Sequence, residues 1–290
     1  MHLDRAASRF LVQPLLDIGA LSLRAAIPIL MYHSISDDEE RGVAPYYRLT
    51  TSPARFRDHM RWLNEAGYTV VSLAEALRRL GDVTKCSDRV AVLTFDDGFE
   101  DFLRQAWPIL AAQGFGANVF LPTAFIGDAT RLSFNGRPCL AWREVAELSA
   151  RGVSFGAHTV THPVLYRLPW TDVRRELRDS RQQIEDRLQV PIRTFAYPYA
   201  FPREDRAFVE RFRAELVESG YTAGVTTMVG RVSADTDRLC LKRLPMSDRD
   251  DRDLFLGKLN GAYDWVGGLQ WIYRHVTHPV VAARLVWRTA

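Results

Sequence analysis

RVAVLTFDDG, running from Arg89 to Gly98, is the stretch from which the fold is read. Val90 to Leu93 is a short apolar run rich in valine, the pattern of a strand buried on both faces. It passes through Thr94 and Phe95 into two consecutive carboxylates, Asp96 and Asp97, closed by Gly98. Adjacent side chains on an extended strand point to opposite sides, so one carboxylate can face a metal while its neighbour faces a reacting water. Two aspartates before a glycine also fit a plain helix cap. A second stretch, GVSFGAHTVTH from Gly152 to His162, breaks the tie: another apolar run ends in His158, with His162 four residues on.

Outward from these two strands, the pattern alternates. Ile27–Tyr32 reads as a strand that runs into His33, and Pro53–Ala66 as a helix carrying Phe56, Met60 and Leu63 at helical spacing. His59, on that helix, is expected to face solvent. Tyr68–Ser72 is expected as a strand, Leu73–Leu80 and Phe102–Gln113 as helices, and Gly116–Leu121 as a strand. After a long loop over Pro122–Pro138 come a helix over Trp142–Arg151, a strand over Val153–Ala157 and a helix over Thr171–Leu188, whose Arg/Glu run reads as a solvated face. Ile192–Tyr197 and Tyr221–Thr226 complete seven strands around a helix over Arg203–Ser219, with Cys240–Leu244 as a shorter eighth. Strands alternating with helices pair in parallel, and at this length they close into a β/α barrel. The chain is therefore read as α/β, one barrel domain over 27–248, with an N-terminal extension (1–26) and a C-terminal helical tail (249–290).

Composition bounds the function. A net charge of +3, from 38 Lys+Arg against 35 Asp+Glu, gives no case for nucleic acid. Cys86, Cys139 and Cys240, in no CxxC spacing, argue against a disulfide framework or a thiolate metal site and read as buried small hydrophobes. Met1–Ala26 is interrupted by Asp4, Pro14, Asp17 and Arg24, a poor secretory segment, and no apolar run approaches the ~20 residues of a spanning helix. The expected location is the cytoplasm or the inner membrane surface, with export left open.

Each candidate catalytic group falls at the C-terminal end of an expected strand: His33, Asp96 and Asp97, His158, and Pro198–Tyr199. In a β/α barrel those ends meet on one rim. Asp97, His158 and His162 supply one oxygen and two nitrogens with a fourth position open, the composition of a catalytic zinc site. The two histidines can share a metal if the chain after His158 turns helical. Asp96 is placed to take a proton from a water, and His33 to protonate a leaving group. The backbone N–H of Tyr199, after a proline with no donor, can help hold an oxyanion. Together they describe metal-assisted hydrolysis of an amide or ester.

TFDDG, HTVTH and RTFAYPY resemble the three leading motifs of the polysaccharide deacetylase family, carbohydrate esterase family 4 with its NodB-homology domain. IPILMYHSI resembles the branch that includes poly-N-acetylglucosamine deacetylases, in which the acid histidine sits in an N-terminal Tyr-His motif. The resemblance spans about Ile27 to Met246. It implies Asp96 as general base, Asp97, His158 and His162 as metal ligands, Tyr199 as oxyanion donor and His33 as acid. It implies a distorted (β/α)7 barrel, and zinc or another divalent ion (cobalt, nickel or manganese) serving to remove N-acetyl groups from an N-acetylglucosamine-type glycan.

The chain departs from the family pattern in places. Ala200 replaces the glycine expected after Pro-Tyr, and no Asp-x-x-Asp-Trp or Leu-x-His motif follows. Arg193 either orients Asp96 or pairs with a surface carboxylate, and Arg243 is a further candidate to support the site. Trp142, Tyr166 and Tyr197 are either sugar-stacking rings or core. The Trp- and Arg-rich segment from Asp264 to Trp287 reads as a helix packed on the barrel, with peripheral membrane association as the sharper alternative. Two other function classes stand beside the deacetylase: a deacylase or deformylase of a lipid-linked sugar, with specificity in the 37–47 and 127–138 loops, and a non-catalytic carbohydrate-binding module. Oligomeric state is not legible.

Overall fold

A computed structural model describes residues 12, 26–38, 50–81 and 89–267. The readings made for the N-terminal extension, Asp4 to Arg24 included, for Cys86, for most of the 37–47 loop and for the tail beyond Gly267 lie outside these residues.

Seven parallel strands form a closed barrel: β1 (Ile29–Tyr32), β2 (Val90–Phe95), β3 (Asn118–Leu121), β4 (Ser154–Ala157), β5 (Thr194–Ala196), β6 (Ala223–Val229) and β7 (Leu241–Pro245). Each pairs with its neighbours in chain order. β7 pairs with β1 through Leu30 and Leu244, and β1 closes onto β2 from Ile29 opposite Val92 to Tyr32 opposite Phe95. Among the described residues seven α-helices accompany the strands: α1 (Pro53–Glu65), α2 (Leu73–Leu80), α3 (Trp107–Ala112), α4 (Trp142–Ala150), α5 (Trp170–Leu188), α6 (Arg206–Glu218) and α7 (Arg252–Asn260).

The number of barrel strands is as expected, but one member differs. Of the expected Tyr68–Ser72 strand only Thr69–Val70 is extended, and it pairs with Val90 and Ala91 on the lower part of the β2 edge that β1 takes higher up. The short C-terminal strand, β7, closes the ring instead. The loop expected over Pro122–Pro138 contains a hairpin, Ser133–Phe134 against Arg137–Pro138, turned by Asn135 and Gly136 at φ +50° and +75°. Positive φ at both central positions is the geometry a two-residue hairpin turn needs.

Side-chain alternation sorts the strands into two cores. Ile29, Val90, Val92, Phe120, Ala196, Val225 and Leu241 meet inside the barrel, where Leu73, Ala76, Leu77 and Leu80 of α2 plug the end from which the strands start. Leu30, Tyr32, Leu93, Phe95, Val119, Phe155 and Phe195, one residue out of step, face the surrounding helices. The strands are thus buried on both faces, as their continuous apolar runs require. Continued upward, the inward parity reaches His33 on β1, Thr94 and Asp96 on β2, Gly156 and His158 on β4, Pro198 after β5 and Arg243 on β7. The barrel's own period therefore delivers the polar groups to its open end.

His59 is fully buried rather than exposed. It shares one face of α1 with Phe56, Met60 and Leu63, stacks on Phe255 of α7 at 4.6 Å, and accepts a hydrogen bond from the Tyr32 hydroxyl on Nδ1 (3.0 Å) while Nε2–H donates to Asp250 O (3.0 Å). Lys258 of α7 closes this cluster through an ion pair with Asp250 at 2.9 Å. Among the described residues no helix is long and apolar enough to cross a membrane, and Cys139 and Cys240 are buried free thiols.

Candidate active site

β2 ends by turning sharply. Asp97 and Gly98 both take positive φ, +69° and +59°, which lifts the second carboxylate off the strand direction and over the barrel mouth. At Gly98 a Cβ would stand 2.8 Å from the Leu121 side chain, so neither a side chain nor an ordinary backbone fits there.

Three side chains converge above this turn. Asp97 Oδ1 lies 3.3 Å from His162 Nε2 and 3.5 Å from His158 Nε2, and the two Nε2 atoms are 3.1 Å apart. All three residues are buried. His158 Nδ1–H donates to Ala196 O (2.7 Å), which fixes its tautomer and aims the Nε2 lone pair at the cluster. Asp97 Oδ1 is buried without a hydrogen bond. An orphaned carboxylate oxygen facing two imidazole Nε2 atoms is costly unless a cation joins them. Ligands at the about 2.0–2.1 Å of zinc–nitrogen and zinc–oxygen bonds stand about 3.3–3.4 Å apart in a tetrahedron, so the donor set fits a divalent ion.

The chain between the histidines is not helical. It is a bend with Thr159 and His162 at φ +69° and +54°. Within it, Thr159 Oγ1 donates to His158 O and accepts from His162 N (2.9 Å). Glu176 of α5 takes the other donors: its carboxylate accepts from Val160 N (2.7 Å), Thr161 N (2.9 Å) and Thr161 Oγ1 (2.7 Å). A bend rather than a helical turn lets the rings meet edge to face at 4.7 Å with both Nε2 atoms on one point. His162 is further enclosed by Phe134 of the hairpin at 4.7 Å and Tyr199 at 4.6 Å.

Asp96 turns to the barrel axis and meets Arg243. The pairing is bidentate, Nη1 to Oδ1 and Nη2 to Oδ2, each 2.7 Å, with Arg243 fully buried, its Nε–H donating to Thr226 O (2.9 Å) and Nη1 also reaching Thr94 Oγ1 (3.3 Å). His33 Nε2 lies 3.8 Å from Asp96 Oδ2. Arg193, by contrast, is exposed at the start of β5 and reaches only Gly220 O at 3.5 Å. Five residues of extended chain, about 16 Å at 3.3 Å each, separate it from Pro198, so it cannot orient Asp96. Arg243 occupies that role, on the inward parity of β7.

Electrostatics follow from this packing. Burial alone would raise the Asp96 carboxyl, but the charge of Arg243, with His158, its hydrogen bonds to Arg243, and His33, holds it well below the usual carboxylate range. Asp97 is likewise lowered against its burial, by His158, His33 and His162. Burial, with the charge of His158, pushes His162 down to about 3, so its ring stays neutral. An ionised Asp97 beside a neutral His162 is the protonation state that metal ligands require, whereas the Asp97 and Asp96 carboxylates raise the His158 ring against its burial.

Pro198 is buried, and Tyr199 follows it at φ +59° with its ring half exposed against His162. Thr227 Oγ1 donates to Tyr199 O (3.0 Å) and accepts from Phe201 N (3.2 Å), fixing the turn in which Ala200 stands. Of the other rings weighed from sequence, Trp142 and Tyr197 are buried core and Tyr166 is exposed. His33, Asp96, Asp97, His158 and His162 thus come together, with Tyr199 beside them. Glu176 is the participant that sequence reasoning missed.

Comparison with known proteins agrees with this geometry. Residues 84–223 match the family profile described as polysaccharide deacetylase. A putative polysaccharide deacetylase of Bacillus subtilis, YxkH, is 29% identical over 227 residues, covering 77% of this chain and 72% of that protein. The solved structure of the Streptococcus pyogenes deacetylase PplD in complex with acetate superposes with a TM-score of 0.70 at 26% identity, covering 82% of this chain and 99% of that one. A poly-β-1,6-N-acetyl-D-glucosamine N-deacetylase of Escherichia coli is 29% identical over 83 residues, which are 29% of this chain and 12% of that enzyme.

Proposed function

We propose that this chain, similar to polysaccharide deacetylases over residues 84–223 and to enzymes that hydrolyse carbon–nitrogen bonds other than peptide bonds, removes N-acetyl groups from a glycan containing N-acetylhexosamine, with a divalent metal at Asp97, His158 and His162. The observation that carries the proposal is the convergence of those three donor atoms within 3.1–3.5 Å, beside an Asp96 held ionised by Arg243. The N-deacetylase similarity to the Escherichia coli enzyme supports the N-acetylglucosamine class of substrate. Zinc suits two imidazoles and one carboxylate; cobalt, nickel and manganese are the alternatives.

Bound at these three ligands, such an ion would polarise the acyl carbonyl and acidify the attacking water. Asp96 accepts the proton that water gives up, its orientation set by the two Arg243 bonds. His33, on the same side as Asp96 Oδ2, delivers a proton to the departing sugar amine. The Tyr199 N–H donates to the oxygen that gains charge as the acyl carbon becomes tetrahedral. The half-exposed Tyr199 ring offers a face on which a sugar can lie.

The test is metal content and acetate release from N-acetylglucosamine oligomers, wild type beside Asp96→Asn. Metal in both proteins with acetate from wild type alone is expected. Equal activity of the two would remove Asp96 as the base. Metal bound without acetate release from either would shift the substrate to another acyl group or the protein to a binding role.

A further inference from the structure

Resting on that metal-site reading, we infer that Glu176 is a positioning residue for the metal: from α5 it holds the His158–His162 bend in the shape that brings both Nε2 atoms to one point. The bend is intrinsically unfavourable. Thr159 and His162 both sit at positive φ, and Thr159 is β-branched, a type for which that region is a genuine outlier. A backbone held there persists only where surrounding bonds over-determine it.

Inside the bend a single hydroxyl, Thr159 Oγ1, ties its two ends. From outside, Thr123 N donates to Thr159 O (3.1 Å) and Ala124 N to Val160 O (2.9 Å), which hold two of the bend's carbonyls, while one carboxylate takes its donors. Glu176 Oε2 takes two consecutive backbone N–H groups, Val160 and Thr161, and Oε1 takes the Thr161 hydroxyl. Glu176 is itself buried, and it lies on the apolar stripe of α5 with Val173, Leu177, Ser180 and Ile184. Its cost of desolvation is offset by these charge-assisted bonds. Because α5 packs its apolar stripe on the barrel, the carboxylate is a fixed post, and the histidine bend is clamped to it. Without the clamp the carbonyl bonds to Thr123 N and Ala124 N remain, but the Thr161–His162 side of the bend is free to relax toward ordinary backbone angles, swinging His162 away from Asp97 and His158.

The argument depends on reach and acceptor geometry, not on negative charge near the ligands. Glu176→Gln keeps the reach and an acceptor oxygen for the two N–H groups, and can meet the Thr161 hydroxyl with its amide. Glu176→Asp keeps the charge and is one methylene too short. Zinc affinity is measured by chelator competition, and coordination by the visible absorption of the cobalt-substituted protein, with the apo-protein melting temperature recorded alongside. Loss of a partner of this kind lowers metal affinity by about 10–100-fold. That loss is expected for Glu176→Asp and Glu176→Ala, with a weakened or altered cobalt spectrum, while Glu176→Gln stays within about threefold of wild type on the same scale.

If Asp binds zinc like wild type and Gln does not, the carboxylate acts by charge and the positioning role is overturned. If both variants lower the melting temperature and leave zinc affinity and the cobalt spectrum unchanged, Glu176 is structural only, which also overturns it. Should Glu176→Ala fail to fold, the Asp and Gln pair carries the test alone. Absence of zinc binding by wild type would refute the metal-site reading itself, a result separable from either outcome for Glu176.

Discussion

Lowering the pH from 7 to 5 should cost this protein stability through one buried ring outside the candidate site, His59. Its Nε2–H donates to Asp250 O and its Nδ1 accepts from Tyr32, so the neutral ring is fully satisfied and a second proton on Nδ1 would displace the bond from the buried Tyr32 O–H. Burial, only partly opposed by Asp250, pushes its pKa down to about 4 from 6.5. The folded state therefore refuses a proton that the unfolded chain binds below about 6.5. Stability from this group is complete above that value, falls with pH through the window, and levels off below the folded value near 4. The full span of about 2.5 units corresponds to about 3 kcal/mol, of which about 2 kcal/mol is lost between pH 7 and pH 5. Urea unfolding at the two pH values, in chelator, would be compared for wild type and His59→Gln. The amide keeps a donor and an acceptor but does not titrate, and every other group titrates alike in both proteins, so the difference of differences isolates His59. A loss in wild type no larger than in His59→Gln would refute the assignment of a neutral, buried His59.

Arg243→Met should destabilise the fold by about 3–5 kcal/mol, because it strands a buried Asp96 carboxylate without its partner. Adding Asp96→Asn should restore most of that loss in the same urea assay, and a double variant no more stable than the single would show that the pair is not coupled. Gly156→Ala should be destabilised by about 1–3 kcal/mol through overpacking. Its Cβ would stand 2.5 Å from Thr194 Oγ1 and 2.6 Å from the Phe120 ring inside the barrel. A melting temperature equal to wild type would mean that the interior is looser than it is drawn.

What the sequence concealed has a common physical form. The strands were legible because a strand buried on both faces is a run of apolar residues, and the motif residues were legible because they follow those runs. His59, Glu176 and Arg243 were missed or ranked low because each is a charged or polar type, read by its composition as solvent-facing or peripheral. Yet each occupies an apolar position by period: His59 among Phe56, Met60 and Leu63 on α1, Glu176 between Val173 and Leu177 on α5, Arg243 two residues from Leu241 on β7. A polar residue on a buried stripe must be paired, and its partner is then near the chemistry or under it. Arg193 misled for the converse reason: it belongs to a motif, but it starts its strand at the wrong end of the barrel. The shape of the histidine bend had no period to betray it.

That bend belongs to a wider pattern. Among the described residues, positive φ at non-glycine positions occurs at six places, and four of them, Asp97, Thr159, His162 and Tyr199, stand around the candidate site. Each follows within a few residues of a barrel strand whose hydrogen bonds and two-sided burial leave it no freedom to shift. Strained backbone of this kind costs on the order of 1–3 kcal/mol per residue and survives only where rigid neighbours impose it. The closed barrel is such a neighbour. Its strands aim the polar groups by alternation, and the turns that follow depart from that alternation to bring Asp97, His162 and the Tyr199 N–H toward the same point. Neither part suffices alone: a regular strand would carry Asp97 outward to the helices, with Phe95, and a relaxed turn would scatter the histidines. The geometry at the mouth is therefore a property of the whole ring, which is why the short β7, carrying Arg243 and closing β1, matters as much to the site as the strand that holds both aspartates.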